Sequence, residues 1–141
     1  MSQGYGLLKG KKGIIFGALD ERSIAWRIAL ACKREGAEFV LSNAPIALRL
    51  GTLNALSEDC NAPIIPCDVT NDDEVIDLVA KTKKHFGGGV DFILHAIGMS
   101  PNVRKKKEYG DINYSWFQQS LDISAISLHR VLHHADKGGI L

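Results

Sequence analysis

The sequence contains few cysteines and has no excess of charge of either sign. Its three cysteines are Cys32, Cys60 and Cys67. No two of them have Cys-x-x-Cys spacing, so the sequence predicts neither a disulfide framework nor a zinc site. We interpret them as buried or half-buried thiols. Lys and Arg number 17 and Asp and Glu number 16, so the formal net charge is +1. This balance gives no general reason to expect nucleic acid as a partner.

Long apolar runs are also absent from the sequence. No stretch reaches the roughly 20 apolar residues that a membrane-spanning helix needs. Residues 1–12 include no apolar core of signal-peptide length. We therefore expect a cytoplasmic protein that contacts no membrane. The 141 residues, 45% of them apolar, suit one domain with a substantial core.

Short apolar runs alternate along the chain with longer amphipathic segments. Residues 13–17, 38–42, 63–67 and 90–97 are predicted strands, and 138–141 resembles the start of a fifth. Residues 23–35, 47–60, 72–86 and 116–134 are predicted helices, while 99–113 is predicted to be a lysine-rich loop. This alternation predicts an α/β fold with a doubly wound parallel sheet of the Rossmann type. We expect one partial dinucleotide-binding domain over 1–141, ending after four to five strands.

The turn after the first predicted strand is a candidate phosphate site. The strand ends at Gly17, and the next helix begins near Ser23. Ligands of such sheets bind outside the carboxyl ends of the strands. Glycine lets the backbone approach a phosphate, and a helix N-terminus offers N–H groups to a pyrophosphate. Ser23 either caps the helix or bonds a phosphate oxygen. A simple strand-to-helix loop explains the same stretch equally well.

Two further strand ends carry residues suited to a nucleotide. Asp68 and Val69 follow the third predicted strand, where a carboxylate can bond an adenine amino group and backbone can bond a ring nitrogen. Ile97 and Gly98 follow the fourth, where a glycine lets backbone pack beside a ribose. Each alone is explained by an ordinary turn. Three such features at successive strand ends favour a dinucleotide site.

Four motifs together resemble the bacterial enoyl-acyl carrier protein reductases, divergent members of the short-chain dehydrogenase/reductase superfamily. The motifs are Gly17 with Ser23-Ile24-Ala25, then Cys67-Asp68-Val69, His95-Ala96-Ile97-Gly98 and Asp122-Ile123-Ser124. The turn pattern G-x5-S-I-A is fairly specific to this family. Ala96 is a mild departure, since the family usually has serine there. The resemblance covers the chain from about residue 8 to about residue 128.

The resemblance implies the last reduction of the type II fatty acid elongation cycle. Hydride would pass from a nicotinamide to a trans-2-enoyl thioester carried by acyl carrier protein. The implied binding roles are pyrophosphate for Gly17, Ser23 and Ile24, adenine for Asp68 and Val69, ribose and nicotinamide for Ile97, Gly98 and Ile123, and substrate for Ser100.

We expect NADH rather than NADPH as the cofactor. The segment after the second predicted strand, Ser42-Asn43-Ala44-Pro45, carries no charge. The first positive charge beyond it is Arg49, and NADP-selective sites place a basic residue near the 2′-phosphate. Ala44 stands where relatives often have a longer polar side chain.

The family's catalytic tyrosine and lysine lie on the helix after the fifth strand, and this sequence stops before such a helix. We therefore assign no catalytic residue to the chain, and none of its three tyrosines, Tyr5, Tyr109 and Tyr114, to that pair. The resemblance then implies the cofactor half of a reductase whose full-length relatives are homotetramers. We expect the chain to be marginally stable and inactive alone. A non-catalytic NAD-binding or sensing module is the alternative.

Three remaining features have ordinary structural explanations. The basic run 104–107 suits a solvated loop, with contact to the acidic carrier protein or to nucleic acid as alternatives. His129 and His133 have i,i+4 spacing but no third ligand, so no metal is predicted. His95 lies on a predicted buried strand and suits a packed core histidine better than an acid or base.

Overall fold

The computed structural model of the protein describes residues 4–141. The strands are β1 (Lys12–Phe16), β2 (Glu38–Ser42) and β3 (Phe92–His95). The helices are α1 (Ile24–Arg34), α2 (Pro45–Leu50), α3 (Leu53–Cys60), α4 (Asp72–Phe86), α5 (Pro101–Arg104), α6 (Tyr114–Leu121) and α7 (Ser127–Lys137). Tyr109–Asp111 forms a 3-10 turn, and Asp122–Ile126 forms a π-helical turn that joins α6 to α7.

The sheet is parallel, with the order β2-β1-β3. Ile14 at the centre of β1 pairs with Val40 on one side and with Ile93 on the other. Parallel neighbours require crossover connections, here made by helices, so the predicted Rossmann-like α/β class is confirmed. Phe16 pairs with both Ser42 and His95, so all three strands finish at the same edge of the sheet.

The predicted strand 63–67 is wrong in part, because only Ile64 bridges to β2. The segment is nevertheless extended along that edge. Its Ile65 N–H donates to the Leu41 carbonyl at 2.9 Å, and its Cys67 N–H donates to the Asn43 carbonyl at 3.0 Å. Proline has no N–H to donate, so Pro63 cannot extend this ladder towards the start of β2.

The predicted helix 47–60 is two helices, α2 and α3, which meet at Gly51. A Cβ on Gly51 would overlap the carbonyl oxygen of Leu19, and the Thr52 N–H donates to that same oxygen at 3.0 Å. The break therefore lets the loop after β1 rest on the chain between the two helices.

The C-terminal predictions also need correction. The predicted loop 99–113 contains α5 and the 3-10 turn, and the predicted helix 116–134 runs from Tyr114 to Lys137 through the π turn. Residues 138–141 form no strand. Ile140 is instead buried, and its carbonyl accepts the Val90 N–H at 2.7 Å.

Alternate residues of the strands contribute to two core clusters, one on each face of the sheet. Ile14 and Val40 pack with α4 and α7, whereas Ile15 and Leu41 pack with α1 and α3. Burial on both faces explains why the strands are continuous apolar runs. No helix within residues 4–141 is both long and apolar enough to cross a membrane.

The three cysteines are free thiols, as predicted. Cys60 and Cys67 are buried and Cys32 is half-buried. Burial raises the pKa of Cys67 to about 12, with a further contribution from nearby carboxylates. These thiols therefore stay protonated in the core at neutral pH, where they act as small apolar groups.

Candidate functional site

Three adjoining cavities open at the carboxyl edge of the sheet, and Gly98 lines all three. The turn cavity, about 510 Å³, lies between the loop after β1 and the end of β3. The middle cavity, about 390 Å³, lies between the ends of β2 and β3. The outer cavity, about 500 Å³, lies beside α5 and α6.

Every residue assigned to a site from the sequence lines at least one of these cavities. The turn cavity includes Gly17, Ser23, Ile24, Ile97 and Gly98. The middle cavity includes Asp68, Val69, Ile97, Gly98 and Ile123. The outer cavity includes Gly98 and Ser100. The fold thus brings together residues that are more than 100 positions apart along the chain, from Gly17 to Ile123.

Gly17 is required by the protein backbone itself. Its φ is +95°, in the region that favours glycine, and a Cβ there would overlap the Ala96 carbonyl oxygen. The end of β1 can therefore lie against the end of β3 only if this residue is glycine. The sequence interpretation invoked room for a phosphate, but close packing of two strand ends already accounts for the residue.

Ser23 does not cap α1, so that alternative in the sequence interpretation is wrong. Its Oγ accepts the N–H groups of Leu19 and Asp20, each at 3.0 Å. These two bonds fold the loop back on itself and draw the hydroxyl away from the helix. The first turn of α1 contains no acidic residue, and no side chain in the described part of the protein caps it.

The uncapped end of α1 differs from the starts of α4 and α6, whose first N–H groups are bonded by Asn71 and Asn113. Unpaired N–H groups and the positive end of the helix dipole together attract anions. Because Ser23 and Ile24 line the turn cavity, this helix start borders space that an anionic group can occupy.

The loop after the extended segment is held by Asp68. Its Oδ1 accepts both the N–H and the hydroxyl of Thr70, at 2.9 and 2.7 Å, and its own N–H donates to Glu74 Oε2 at 2.7 Å. Among the described residues, Asp68 Oδ2 and the Val69 N–H have no hydrogen-bond partner. An acceptor and a donor are therefore available side by side on the wall of the middle cavity.

The π-helical turn positions the opposite wall. Ser124 Oγ accepts the Met99 N–H at 3.1 Å and is 3.3 Å from the Met99 carbonyl, to which it donates. These bonds hold the chain after Gly98 against the helix, and the preceding residue, Ile123, faces the middle cavity. Such π turns are frequent at functional sites. The hydrophobic pattern of the sequence gives no signal for this one.

His95 is a half-buried histidine with a fixed partner. Its Nε2 lies 2.8 Å from Ser127 Oγ, and the Ser127 hydroxyl donates to the Ile123 carbonyl at 2.6 Å. Nε2 therefore carries the proton and donates to Ser127. Burial lowers the pKa of His95, which favours the neutral ring. This geometry agrees with the packed-histidine interpretation, although His95 also lines the turn cavity.

One tyrosine has lysines downstream at about the separation of the family's catalytic pair, about two helical turns. Tyr5 is followed by Lys11 and Lys12, but it precedes β1. Its N–H donates to Glu35 beyond the end of α1, and its side chain is exposed. It therefore lies at the edge of the sheet opposite the cavities, and no catalytic role follows from the spacing.

His129 and His133 are stacked neighbours on α7, with ring centroids 6.1 Å apart. Both are exposed. In the described part of the chain, no cluster of three or more His, Cys, Asp or Glu side chains is placed to hold a metal ion.

A parallel sheet with adjoining cavities at its carboxyl edge, one of them beside an uncapped helix start, is the arrangement of Rossmann-like α/β proteins. The model of the family described as "Enoyl-(Acyl carrier protein) reductase" matches residues 17–140. That is most of the sequence, and the chain belongs to this family.

Individual relatives support the same assignment. The chain is 36% identical over 138 residues to "Enoyl-[acyl-carrier-protein] reductase [NADH] 1" of Rhizobium meliloti (strain 1021), covering 97% of the chain and 50% of that protein. It is 36% identical over 124 residues to a FabI of Neisseria meningitidis serogroup B, covering 87% and 47%. The chain thus spans about half the length of the curated relatives it matches.

Solved structures give the same result. The FabI–NADH complex from Alistipes finegoldii superposes with a TM-score of 0.92 at 52% sequence identity, over 94% of this chain and 47% of that one. A second FabI structure from the same organism gives a TM-score of 0.94 at 50% identity, over 98% and 53%.

Proposed function

We propose that this chain is the cofactor-binding part of an NADH-dependent enoyl-acyl carrier protein reductase. The observation that carries the proposal is that all of the residues assigned to the dinucleotide line two adjoining cavities at one edge of the sheet. Family membership and the names of the relatives, which are NADH enzymes, support the same function.

The residues present suit a dinucleotide. The uncapped start of α1, with Ser23 and Ile24, would bind the pyrophosphate, since helix N-termini bind phosphate groups. Asp68 Oδ2 and the Val69 N–H would bond an adenine amino group and a ring nitrogen. Ile97, Gly98 and Ile123 would form the wall beside the nicotinamide ribose. The cofactor, once bound, supplies the hydride; the chain binds and orients it.

The middle cavity favours NADH over NADPH. Asn43 donates from Nδ2 to the Ala18 carbonyl and accepts the Ala44 N–H at Oδ1, both at 2.8 Å, which fixes the turn after β2. Beside this turn the cavity is lined by Ile46, Ala47 and Leu50. Arg49 is not among its lining residues. The arginine that does line the cavity, Arg104, belongs to α5 and also lines the outer cavity. Beside the turn after β2, a 2′-phosphate would therefore lack the cation that NADP sites provide.

The outer cavity suits the substrate side of the reaction. Met99, Val103 and Leu121 give it an apolar lining. Ser100 also lines it and caps α5 by accepting the Val103 N–H at 3.4 Å. Apolar walls with a few polar groups are typical of small-molecule sites. We propose that an enoyl thioester delivered by acyl carrier protein extends along this cavity.

We further propose that the 141-residue chain binds NADH without turning over substrate. Among the described residues, no tyrosine lines the three cavities, so the site lacks the phenol with which the family polarises the developing enolate. A module that binds NAD only to signal to a partner would share the same binding site. The two functions differ in whether the cofactor site serves a reduction.

A titration of the chain with NADH, followed by cofactor fluorescence, tests the binding proposal. We expect saturable binding that Asp68→Asn weakens roughly tenfold, because the adenine loses a charged acceptor. Asp59→Asn, an exposed change on α3 outside the cavities, is the matched control. Absence of binding by the wild-type chain would contradict the cofactor assignment.

The same samples are then assayed for NADH oxidation with a crotonyl thioester. We expect no NADH oxidation by the chain alone. Turnover that a point substitution within this chain abolishes would show that the chain is active alone. Turnover that appears only when the remaining half of a relative is added would favour the reductase over the sensing module.

A further inference from the structure

Arg130 on α7 connects three segments around the middle cavity, although no motif in the sequence includes it. Its Nη1 donates to the Val69 carbonyl at 2.9 Å, and its Nη2 donates to Asp122 Oδ1 at 3.0 Å. Its Nε lies 3.4 Å from Asp72 Oδ1 at the start of α4. The Arg130 side chain is only 19% exposed, whereas its partners Asp72 and Asp122 are 66% and 38% exposed.

The two stronger contacts reach opposite walls of the middle cavity. Val69 belongs to the loop that offers the free N–H, and Asp122 opens the π turn and directly precedes Ile123. The guanidinium is planar and rigid, so two bonds from one group fix the relative position of their partners. Arg130 itself does not line the cavity.

The contact with Val69 also orients the loop backbone. Asp68 bonds Thr70 on one side of the loop, while Arg130 bonds the Val69 carbonyl on the other. Asp72 is held in turn by His134, whose Nε2 is 2.8 Å from Asp72 Oδ1. The loop is therefore fixed at both ends, by α4 and by α7.

We propose that Arg130 is a positioning residue that holds the adenine-side loop at Val69 in register with the π-turn wall at Ile123. The proposal rests on the proposed function, because it concerns the same dinucleotide site. Arg130 contacts the Val69 backbone directly but reaches Ile123, beside the nicotinamide ribose, only through Asp122. Its effect is therefore larger on the adenine half of the cofactor than on the nicotinamide half.

Binding of three probes separates this role from a general structural one. NADH, adenosine 5′-monophosphate and nicotinamide mononucleotide are titrated against the wild type, Arg130→Met and Arg130→Lys. We expect Arg130→Met to weaken both NADH and the adenine nucleotide about tenfold, with less than about twofold loss for the nicotinamide nucleotide. Arg130→Lys should be intermediate, because an ammonium group cannot reproduce the two-pronged contact.

Two further variants keep the test decisive. Asp122→Asn leaves the Val69 contact in place, so we expect a loss of adenine-nucleotide affinity of only about threefold. Arg34→Met is the matched control at the far end of α1, where Arg34 forms an ion pair with Glu35, and should bind all three probes like the wild type. If Arg130→Met is too unstable to titrate, the losses of affinity for the two mononucleotides are compared with Arg130→Lys and Asp122→Asn instead.

The outcomes are distinguishable. Equal losses for the two mononucleotides, or unchanged affinities beside a lowered melting temperature, would assign Arg130 a structural role and overturn the inference. Failure of the wild-type chain to bind NADH would overturn the proposed function itself, whatever the variants do.

Discussion

At the scale of single residues, the two glycines of the site are required for different physical reasons. Gly17 has a positive φ and lies against the Ala96 carbonyl, whereas Gly98 has neither constraint, since a Cβ there would meet no atom within 4 Å. Gly98 nevertheless lines all three cavities. The first glycine is therefore needed by the fold, and the second is needed only if a ligand packs on it.

This difference predicts opposite results for two alanine substitutions. Gly17→Ala should lower the free energy of unfolding by about 1–3 kcal/mol, because the backbone is strained and must move away from Ala96. Gly98→Ala should change it by less than about 0.5 kcal/mol but should weaken NADH binding. Urea unfolding and NADH titration of both variants measure these effects. Equal stability of the two would contradict the argument from φ and contact.

At the scale of elements, the helices differ in whether a side chain caps their first N–H groups. Asn71 Oδ1 accepts the N–H groups of Asp73 and Glu74 at the start of α4, at 3.0 and 3.3 Å, and three acids occupy the first turn. The starts of α1, α2 and α3 have no side-chain cap. The start of α1 lines the turn cavity and the start of the shorter α2 lines the middle cavity, whereas the start of α3 lines none of the three.

The cap of α4 should be measurable as stability. Asn71→Ala should lower the free energy of unfolding by about 1 kcal/mol, because it removes two acceptor contacts to orphan N–H groups. Thr52→Ala, at the corresponding position before α3, makes no cap bond in the native protein and should be close to neutral. Thermal and urea unfolding of both variants provide the comparison. A cost at Thr52 as large as that at Asn71 would contradict this interpretation.

At the scale of the whole molecule, the side that includes β3 and the helix through α6 and α7 is incompletely covered by other segments. In the described part of the chain, β3 pairs only with β1, and its four residues are half-buried while most of β1 and β2 is fully buried. Exposed apolar side chains also follow the helix that runs through α6 and α7: Phe117, Leu121, Leu128 and Leu132. Unpaired strand edges and apolar patches promote association.

We therefore expect the 141-residue chain to self-associate as its concentration rises. Light scattering of the wild type should increase with concentration, and Leu128→Glu combined with Leu132→Glu should reduce the increase by placing charge on that stripe. Leu7→Glu, at an exposed apolar residue before β1, serves as the control. A wild type that stays monomeric at all concentrations tested would contradict the expectation.

The sequence by itself determined the α/β class, the parallel sheet and most helix positions. These depend on local patterns: apolar runs buried on both faces, amphipathic spacing, and glycine or asparagine at helix ends. It also identified the residues at the strand ends, since parallel strands end at a common edge whatever the details of packing. Gly17, Asp68 and Gly98 were placed at that edge in this way, and their roles toward a cofactor stay predictions.

Only the tertiary structure decided which polar groups at that edge are free and which already form hydrogen bonds within the protein. The Ser23 hydroxyl accepts the loop N–H groups of Leu19 and Asp20. Arg130 donates to the carbonyl of Val69, which lies 61 residues earlier in the chain. The break at Gly51 and the π turn likewise arise from contacts with distant segments. Hydrogen bonds between segments far apart in sequence leave no periodic pattern, so the uncapped start of α1 and the Arg130 contacts emerged only from the folded chain.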